Sequence, residues 1–441
     1  MNINISKLNS NQSTANIHVN GAKNALLPLL FSSPLMTGKT TFNNAPVDIF
    51  DYKGSKKILR SIGFKISEDK NKITICNANK SHHININNSL TTHTRCSIYL
   101  LGSLAKSAHS LKIGYPGGCS FGETRNFDIH LNGLKALNAK ISVENNTIAL
   151  EHTKDINASF RLPFPSVGAT TNLIFYSVIG TSCTHLQNCA IEPEIINVIT
   201  FLNKCGAKIS YDLANCEIYI KGVDLLQAKE HDIIYDRVQV MTYICLAIMH
   251  RIKITLHGVC NIDLINAPLS ILNQLDIKYS YDNHKNTITV HGDCVDSIQG
   301  FNIITDPYPY FPTDLQPIFA SLALTAKSPS TIIERVIPER VKYIAQLQKF
   351  NALISHNGNV INIKPNSKLH AAVAESTDLR GGMACLMAAS LIQAQSTIGN
   401  ASQICRGYDN LMPNLLQFMN ISSLDSRINS SSILSKTVNP V

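Results

Sequence analysis

Two kinds of hydrophobic spacing alternate along this 441-residue chain. The first is a run that is apolar nearly all round: ALLPLLFSS (25–33), SIYLLGSLA (97–105), TNLIFYSVI (171–179), TYICLAIMH (242–250), LQPIFASLA (315–323) and GMACLMAAS (382–390). Wound as helices these runs have no polar face, so each predicts a helix buried on every side. The second is an amphipathic helix end, a small or polar breaker, and an apolar pair that opens a hairpin. It occurs as LRSIGFKISEDKNKITI (59–75), LKALNAKISVENNTIAL (134–150), LNKCGAKISYDLANCEIYI (202–220), LNQLDIKYSYDNHKNTITV (272–290), LQKFNALISHNGNVINI (347–363) and, more worn, LLQFMNISSLDSRINSS (415–431). The breakers Gly63, Asn138 and Gly206 recur as Asp276, Asn351 and Met419, each 213 residues on. Three units therefore make a half, and the half is duplicated. Three buried helices per half, each followed by a Thr/Ile-rich strand, predict sheets wrapped around a central helix bundle. The expected fold is α/β: two similar lobes, each with threefold internal pseudosymmetry.

Composition narrows this picture without redrawing it. The length suits two domains of roughly 200 residues, and 44% hydrophobic with 16% charged residues is globular. The longest apolar stretches, such as Ala25–Met36, fall short of the ~20 residues of a membrane span, and Met1–Asn11 is polar, without a signal-peptide pattern. The expected location is the cytoplasm. Twelve cysteines without CxxC or Cys/His ligand spacing read as reduced thiols, mostly small buried hydrophobes, and no metal site is expected. The formal net charge of +9 suits an anionic partner, and by itself does not separate nucleic acid from phosphorylated metabolites.

What precedes each buried helix separates them. The lead-ins are GAKN (21–24), THTR (92–95), PSVGAT (165–170), YDR (235–237), FPTD (311–314) and TDLR (377–380). They set Lys23, Arg95, Arg237 and Arg380 beside the N–H groups of helix starts, which with the helix dipole favour anions. Ser, Thr and Asp there are ordinary caps; Arg and Lys are poor partners for a positive dipole end unless an anion compensates. Cations set singly at helix starts, rather than in stripes with exposed aromatics, point away from nucleic acid. The segment YPGGCSFGETRNFDIH (115–130) adds paired glycines before Cys119, with Arg125 six residues on. A thiol so placed is either activated by nearby cations or an incidental loop cysteine.

Together these segments resemble the UDP-N-acetylglucosamine enolpyruvyl transferases (1-carboxyvinyltransferases). The motifs are GAKN (21–24), PGGC (116–119), DIHLNGL (128–134), SVGAT (166–170), EPEI (192–195), DR (236–237), FPTDLQ (311–316), TDLR (377–380) and RGY (406–408). They run in order from about Asn20 to Tyr408 at family-like spacing. The resemblance implies two inside-out α/β barrels of three repeated units each. One lobe would be 22–234, carrying a mobile Cys119 loop, the other 1–21 with 235–441, and the active site would lie in the cleft between them. It implies phosphoenolpyruvate and UDP-N-acetylglucosamine as substrates, no metal or organic cofactor, no nucleic acid or membrane partner, and a monomer. Lys23 would hold the phosphoenolpyruvate phosphate and Asn24 support the sugar. Arg95, Arg380 and Arg406 would clamp the phosphate and carboxylate, Asp314 would act as base for the sugar 3-hydroxyl, and Cys119 would serve proton delivery and product release. Ser166, Val167 and Gly168 would contact the uridine diphosphate, and Arg125 and Val336 complete the substrate-binding set.

The chain departs from the family pattern at several points. The loop after Cys119 reads GETRN, with Asn126 for a proline and one residue added before Asp128. Gln239 and Met241 stand for an acid and a glycine, Gln403 and Cys405 precede RGY, and an extra residue near 46 blurs the match of Asp51 to a family acid. These losses leave two alternatives open: a paralogue acting on another nucleotide sugar, or a silent UDP-sugar-binding regulator. The related enolpyruvylshikimate-phosphate synthases carry a Ser-Lys-Ser type lead-in and lack PGGC.

Overall fold

The computed structural model describes residues 1–8, 13–77, 83–108, 110–118, 127–365 and 368–423. The chain forms two compact units. One is Asn20–Asp236 with Pro307–Pro309; the other is Met1–Val19, Arg237–Asp306 and the described residues from Tyr310 onward.

Each unit contains three four-stranded sheets built to one plan: an edge strand pairs parallel with a second, which pairs antiparallel with a third, and that with a fourth; in five of the six the last two form a hairpin. In the Asn20–Asp236 unit these are Glu230–Asp232 with Lys39–Asn43 and the hairpin Phe64–Asp69/Lys72–Asn77; His83–Ile86 with Ser110–Gly114 and Ala139–Glu144/Thr147–His152; and Ala158–Arg161 with Cys183–Gln187 and Lys208–Asp212/Glu217–Lys221. In the other unit, Thr14–His18 pairs with Lys253–His257 and Tyr279–Asp282/Thr287–His291. Asn302–Thr305 pairs with Ser330–Glu334 and Ile354–Asn357/Val360–Ile363. Val373–Glu375 pairs with Ser396–Gly399, and then with Ile3–Lys7 and Met419–Ser423.

Strands such as Thr14–His18, buried at alternate positions, turn one face inward and one to solvent, as a period of two dictates. Inside the sheets lie the predicted all-apolar helices: Lys23–Ser32, Leu100–Leu104, Val167–Ser177, Arg237–His250, Gln316–Ala323 and Leu379–Ala389. Val238 through Met249 are buried without interruption. Five breakers, Gly63, Asn138, Gly206, Asp276 and Asn351, have positive φ, from 55° to 108°. Gly, Asn and Asp tolerate that conformation, and it turns each amphipathic helix back into its hairpin.

The sixth copy departs from the expectation. Met419 is the first residue of the strand Met419–Ser423, and that strand pairs with Ile3–Lys7 from the other end of the chain. The expected hairpin return at 427–431 lies outside the described residues. Two edge strands are exchanged between repeats. Thr14–His18 precedes the buried helix Lys23–Ser32 but sits beside Lys253–His257, while Glu230–Asp232 precedes Arg237–His250 but sits beside Lys39–Asn43. Parallel pairing needs only an extended neighbour of the right register, so an edge strand is free to come from elsewhere in the chain.

Candidate active site

In the Asn20–Asp236 unit, Lys23 is the first residue of its helix, where no side chain caps the start. Its Nζ donates to Asp51 Oδ2 at 3.3 Å, and Asp51, in the first turn of the helix Phe50–Ser61, is 4% exposed. The buried carboxylate compensates a cation that the helix dipole disfavours. Lys23 keeps 15% of its side chain exposed and Asn24 beside it is exposed, so both can meet a ligand.

Arg95 opens a 3-10 stretch, Arg95–Tyr99, whose Thr94 hydroxyl accepts from the Cys96 N–H at 3.3 Å. The guanidinium lies 3.9 Å from the centroid of the Phe127 ring, a cation–π contact that helps to hold it in place. Phe127 meets His130 edge to face at 5.6 Å, and His130 Nδ1 lies 3.3 Å from Asn172 Nδ2 on the helix Val167–Ser177. Ser166 caps that helix by accepting from the Ala169 N–H at 3.3 Å. A side-chain carbon on Gly168 would stand 3.0 Å from the His130 ring. The predicted Arg95 and Ser166–Gly168 are thus joined through Phe127 and His130. Val167 opens the helix as expected.

The glycines of PGGC do specific work here. A side chain on Gly117 would meet the Thr92 carbonyl at 2.2 Å, and one on Gly118, with φ +113°, the Arg95 Cβ at 2.9 Å. The segment ending at Gly118 is therefore laid directly on the THTR lead-in. Cys119 and Arg125 lie outside the described residues.

In the other unit, Asp314 sits in the 3-10 turn Thr313–Leu315 at the start of the helix Gln316–Ala323. Its Oδ2 accepts from Arg380 Nη2 at 3.1 Å and Nε at 3.3 Å, and its Oδ1 lies 3.0 Å from Arg340 Nη1. Both arginines are buried, while the aspartate keeps a quarter of its side chain exposed. Asp378, buried, caps the next helix by accepting from the N–H groups of Arg380 and Gly381 at 3.0 and 3.1 Å. The Arg380 guanidinium lies 5.1 Å from the Tyr408 ring, and the Tyr408 hydroxyl bonds Thr242 of the helix Arg237–His250 at 3.0 Å. Arg406 donates to Gln403 at 3.2 Å. Val336 is half-buried and its N–H donates to Glu334 at 2.9 Å. Two buried guanidiniums on one partly exposed carboxylate make a charge-assisted cluster.

Sequence reasoning missed Arg340, which precedes an amphipathic helix (Lys342–Gln348) and so escaped a search of buried-helix starts. It left Asp51 as a blurred match to a family acid and assigned no role to His130, although His130 lies inside the DIHLNGL motif. The cavities of about 830 Å³ (beside Ser159, His185 and Tyr219) and about 280 Å³ (beside Leu35, Ser103 and Phe175) hold none of the predicted residues.

Among the described residues eleven cysteines are free, four of them buried. Burial pushes Cys189 and Cys385 up to about 12 and Cys205 up to about 11, so these are packing groups rather than nucleophiles. His291, Asp293 and Cys294 bring three potential metal-ligand atoms within 4.8 Å of one another. They lie at the turn after the strand Thr287–His291, not at a buried-helix start.

The profile of the EPSP synthase (3-phosphoshikimate 1-carboxyvinyltransferase) family matches residues 9–415. A UDP-N-acetylglucosamine 1-carboxyvinyltransferase of Finegoldia magna is 33% identical over 403 residues, 90% of this chain and 92% of the relative. One of Buchnera aphidicola is 34% identical over 401 residues, 90% and 94%. In fold, the chain is similar to the enolpyruvyl transferase NikO from Streptomyces tendae, with a TM-score of 0.84 and 18% identity over 96% of this chain and 98% of that one. The repeated sheet plan is that of the enolpyruvyl transferase fold, and the chain is an enzyme that belongs to the EPSP synthase family of enolpyruvyl (1-carboxyvinyl) transferases.

Proposed function

We propose that this enzyme transfers the enolpyruvyl group of phosphoenolpyruvate to the 3-hydroxyl of UDP-N-acetylglucosamine with release of phosphate, the first committed step of peptidoglycan synthesis. What carries the reading is identity of about a third over nine-tenths of the chain to relatives named for that acceptor. The chemistry of the sites supports it. Protonation at C3 of the enol makes C2 cation-like, the sugar oxygen attacks C2, and the resulting ketal expels phosphate and returns a C3 proton. Asp314 takes the hydroxyl proton as that oxygen attacks. Lys23, Arg95, Arg380 and Arg406 hold the phosphate and carboxylate, where negative charge accumulates as phosphate departs. Asn24 and Val336 support the sugar, and Ser166–Gly168 the diphosphate at a helix start. Cys119 serves as the proton donor to C3, with Arg125 on the same loop. The enzyme acts as a cytoplasmic monomer, and cell shape and division depend on its product.

The test is phosphate release from phosphoenolpyruvate with and without UDP-N-acetylglucosamine, for the wild type and Asp314→Ala. Sugar-dependent release that the variant abolishes is the expected result. Release only with a different UDP-sugar would reassign the acceptor. Sugar binding without any release would make the protein a silent UDP-sugar-binding regulator.

A further inference from the structure

We propose that Glu334, a fully buried carboxylate with no assigned role, is the positioning residue that sets Asp314 and Val336 in place for the transfer reaction; the inference rests on the function proposed above. Glu334 ends the strand Ser330–Glu334 and is 0% exposed. Its Oε1 accepts from the Thr305 hydroxyl at 2.8 Å and from the N–H groups of Val336 and Ile337, both at 2.9 Å. Its Oε2 accepts from the Thr313 hydroxyl at 2.9 Å. Four donors on one carboxylate offset the cost of burying it.

The bond to Thr313 has a consequence for the neighbouring residue. Arg340 Nη1 donates to Thr313 Oγ1 at 3.1 Å and also lies 3.0 Å from Asp314 Oδ1. The Thr313 hydroxyl accepts from that guanidinium, so its own hydrogen is directed to Glu334. Glu334 thereby holds Thr313 as an acceptor and anchors Arg340 Nη1 between Thr313 and Asp314. Through its other oxygen it folds the turn that carries Val336. One side chain ties together two elements of the proposed sugar site.

The molecule supplies its own control. In all six sheets one residue pairs with the last residue of the edge strand, and Glu334 holds that place opposite Thr305. The other five are Asn43, Ile113, Gln187, His257 and Gly399. Not one is acidic, so the sheet plan does not require a carboxylate there. A buried charge that the fold does not need calls for a local reason, and the wiring of Thr313, Arg340 and Val336 is that reason.

The experiment is a kinetic double-mutant cycle on the full chain with Glu334→Gln and Thr313→Val, read as kcat, KM for UDP-N-acetylglucosamine and melting temperature. Glu334→Gln keeps the shape and three of the accepted bonds but removes the outlet for the Thr313 hydrogen. Each single variant is expected to lower kcat roughly 10- to 100-fold, the effect of a small misplacement at a reacting group, while melting within a few degrees of wild type. The double variant should be no slower than the slower single one, because residues acting as a unit are not additive. Wild-type kcat and KM in both singles, or kcat losses that simply add and follow the melting temperature, would overturn the role. Should Glu334→Gln not fold, Thr313→Val alone decides, and unchanged kcat there refutes the wiring. A wild type that releases no phosphate sinks the transferase reading itself, an outcome distinct from active wild type with indifferent variants.

Discussion

The two units repeat one sheet plan three times each and both set cations at helix starts, yet they hold those cations differently. In the Asn20–Asp236 unit Lys23 is paired with Asp51 at 3.3 Å and Arg95 lies on an aromatic ring. In the other unit a carboxylate, Asp314, is gripped by two arginines. The Phe127 ring holds the Arg95 guanidinium by a cation–π contact. Two guanidiniums on Asp314 instead hold an acceptor in one orientation. The scaffold is indifferent to which of these it carries.

The sharpest way to break the contrast is Asp314→Ala, expected to cost roughly 10³-fold or more in phosphate release, within the range of a lost general base. It also strands two buried guanidiniums, so its melting temperature should fall as well. A variant that turns over normally would remove the carboxylate from the mechanism. Lys23→Ala should cost roughly 10²-fold in turnover, by analogy with other lost charge-stabilising groups. Its effect on melting should be smaller, because this pair is single and partly exposed; a larger melting loss than in Asp314→Ala would reverse the comparison.

Acid should affect both units, through His231 in one and His250 in the other. Burial lowers His231 and His250 from 6.5 to about 4. The fold therefore favours the neutral rings, and their contribution is intact above pH 6.5. It is lost progressively as pH falls towards 4, because the unfolded chain takes up the protons first. For His250 the loss approaches roughly 3 kcal/mol. Melting curves at pH 7 and pH 5 should show it, and a His250→Gln variant should lose less between the two. Equal losses in the variant would exclude the ring. The smallest effect concerns the segment before Cys119. Gly118→Ala forces a side chain into a positive-φ site against Arg95, at roughly 1–3 kcal/mol. A drop in turnover should accompany it, whereas Gly358→Ala, with positive φ but open space around it, should leave turnover unchanged.

Much of the fold was legible in the pattern of residues. The six buried helices announced themselves because a segment with no polar face has one place to go. Five hairpins announced themselves because only Gly, Asn and Asp sit easily at the positive-φ breaker. The sixth was misread: Met419 begins a strand, and its partner Ile3–Lys7 lies some 400 residues away. Lys23, Asp314 and Arg380 could be picked out because they open helices. Arg340, Asp51 and His130 could not be tied to helix starts by pattern, because each lies on an element whose own local pattern is ordinary.

The sequence by itself determined what is local and periodic: helix and strand type, the breaker conformations, the threefold repeat and its duplication. Burial preference and backbone sterics act over a few residues, and they read the same in any context. Only the tertiary structure decided which edge strand serves which sheet, which cation meets Asp314, and why Glu334 alone among six equivalent positions is a buried acid. Those outcomes depend on groups far apart in the chain meeting at about 3 Å, where charge and hydrogen bonding act and where sequence distance carries no information.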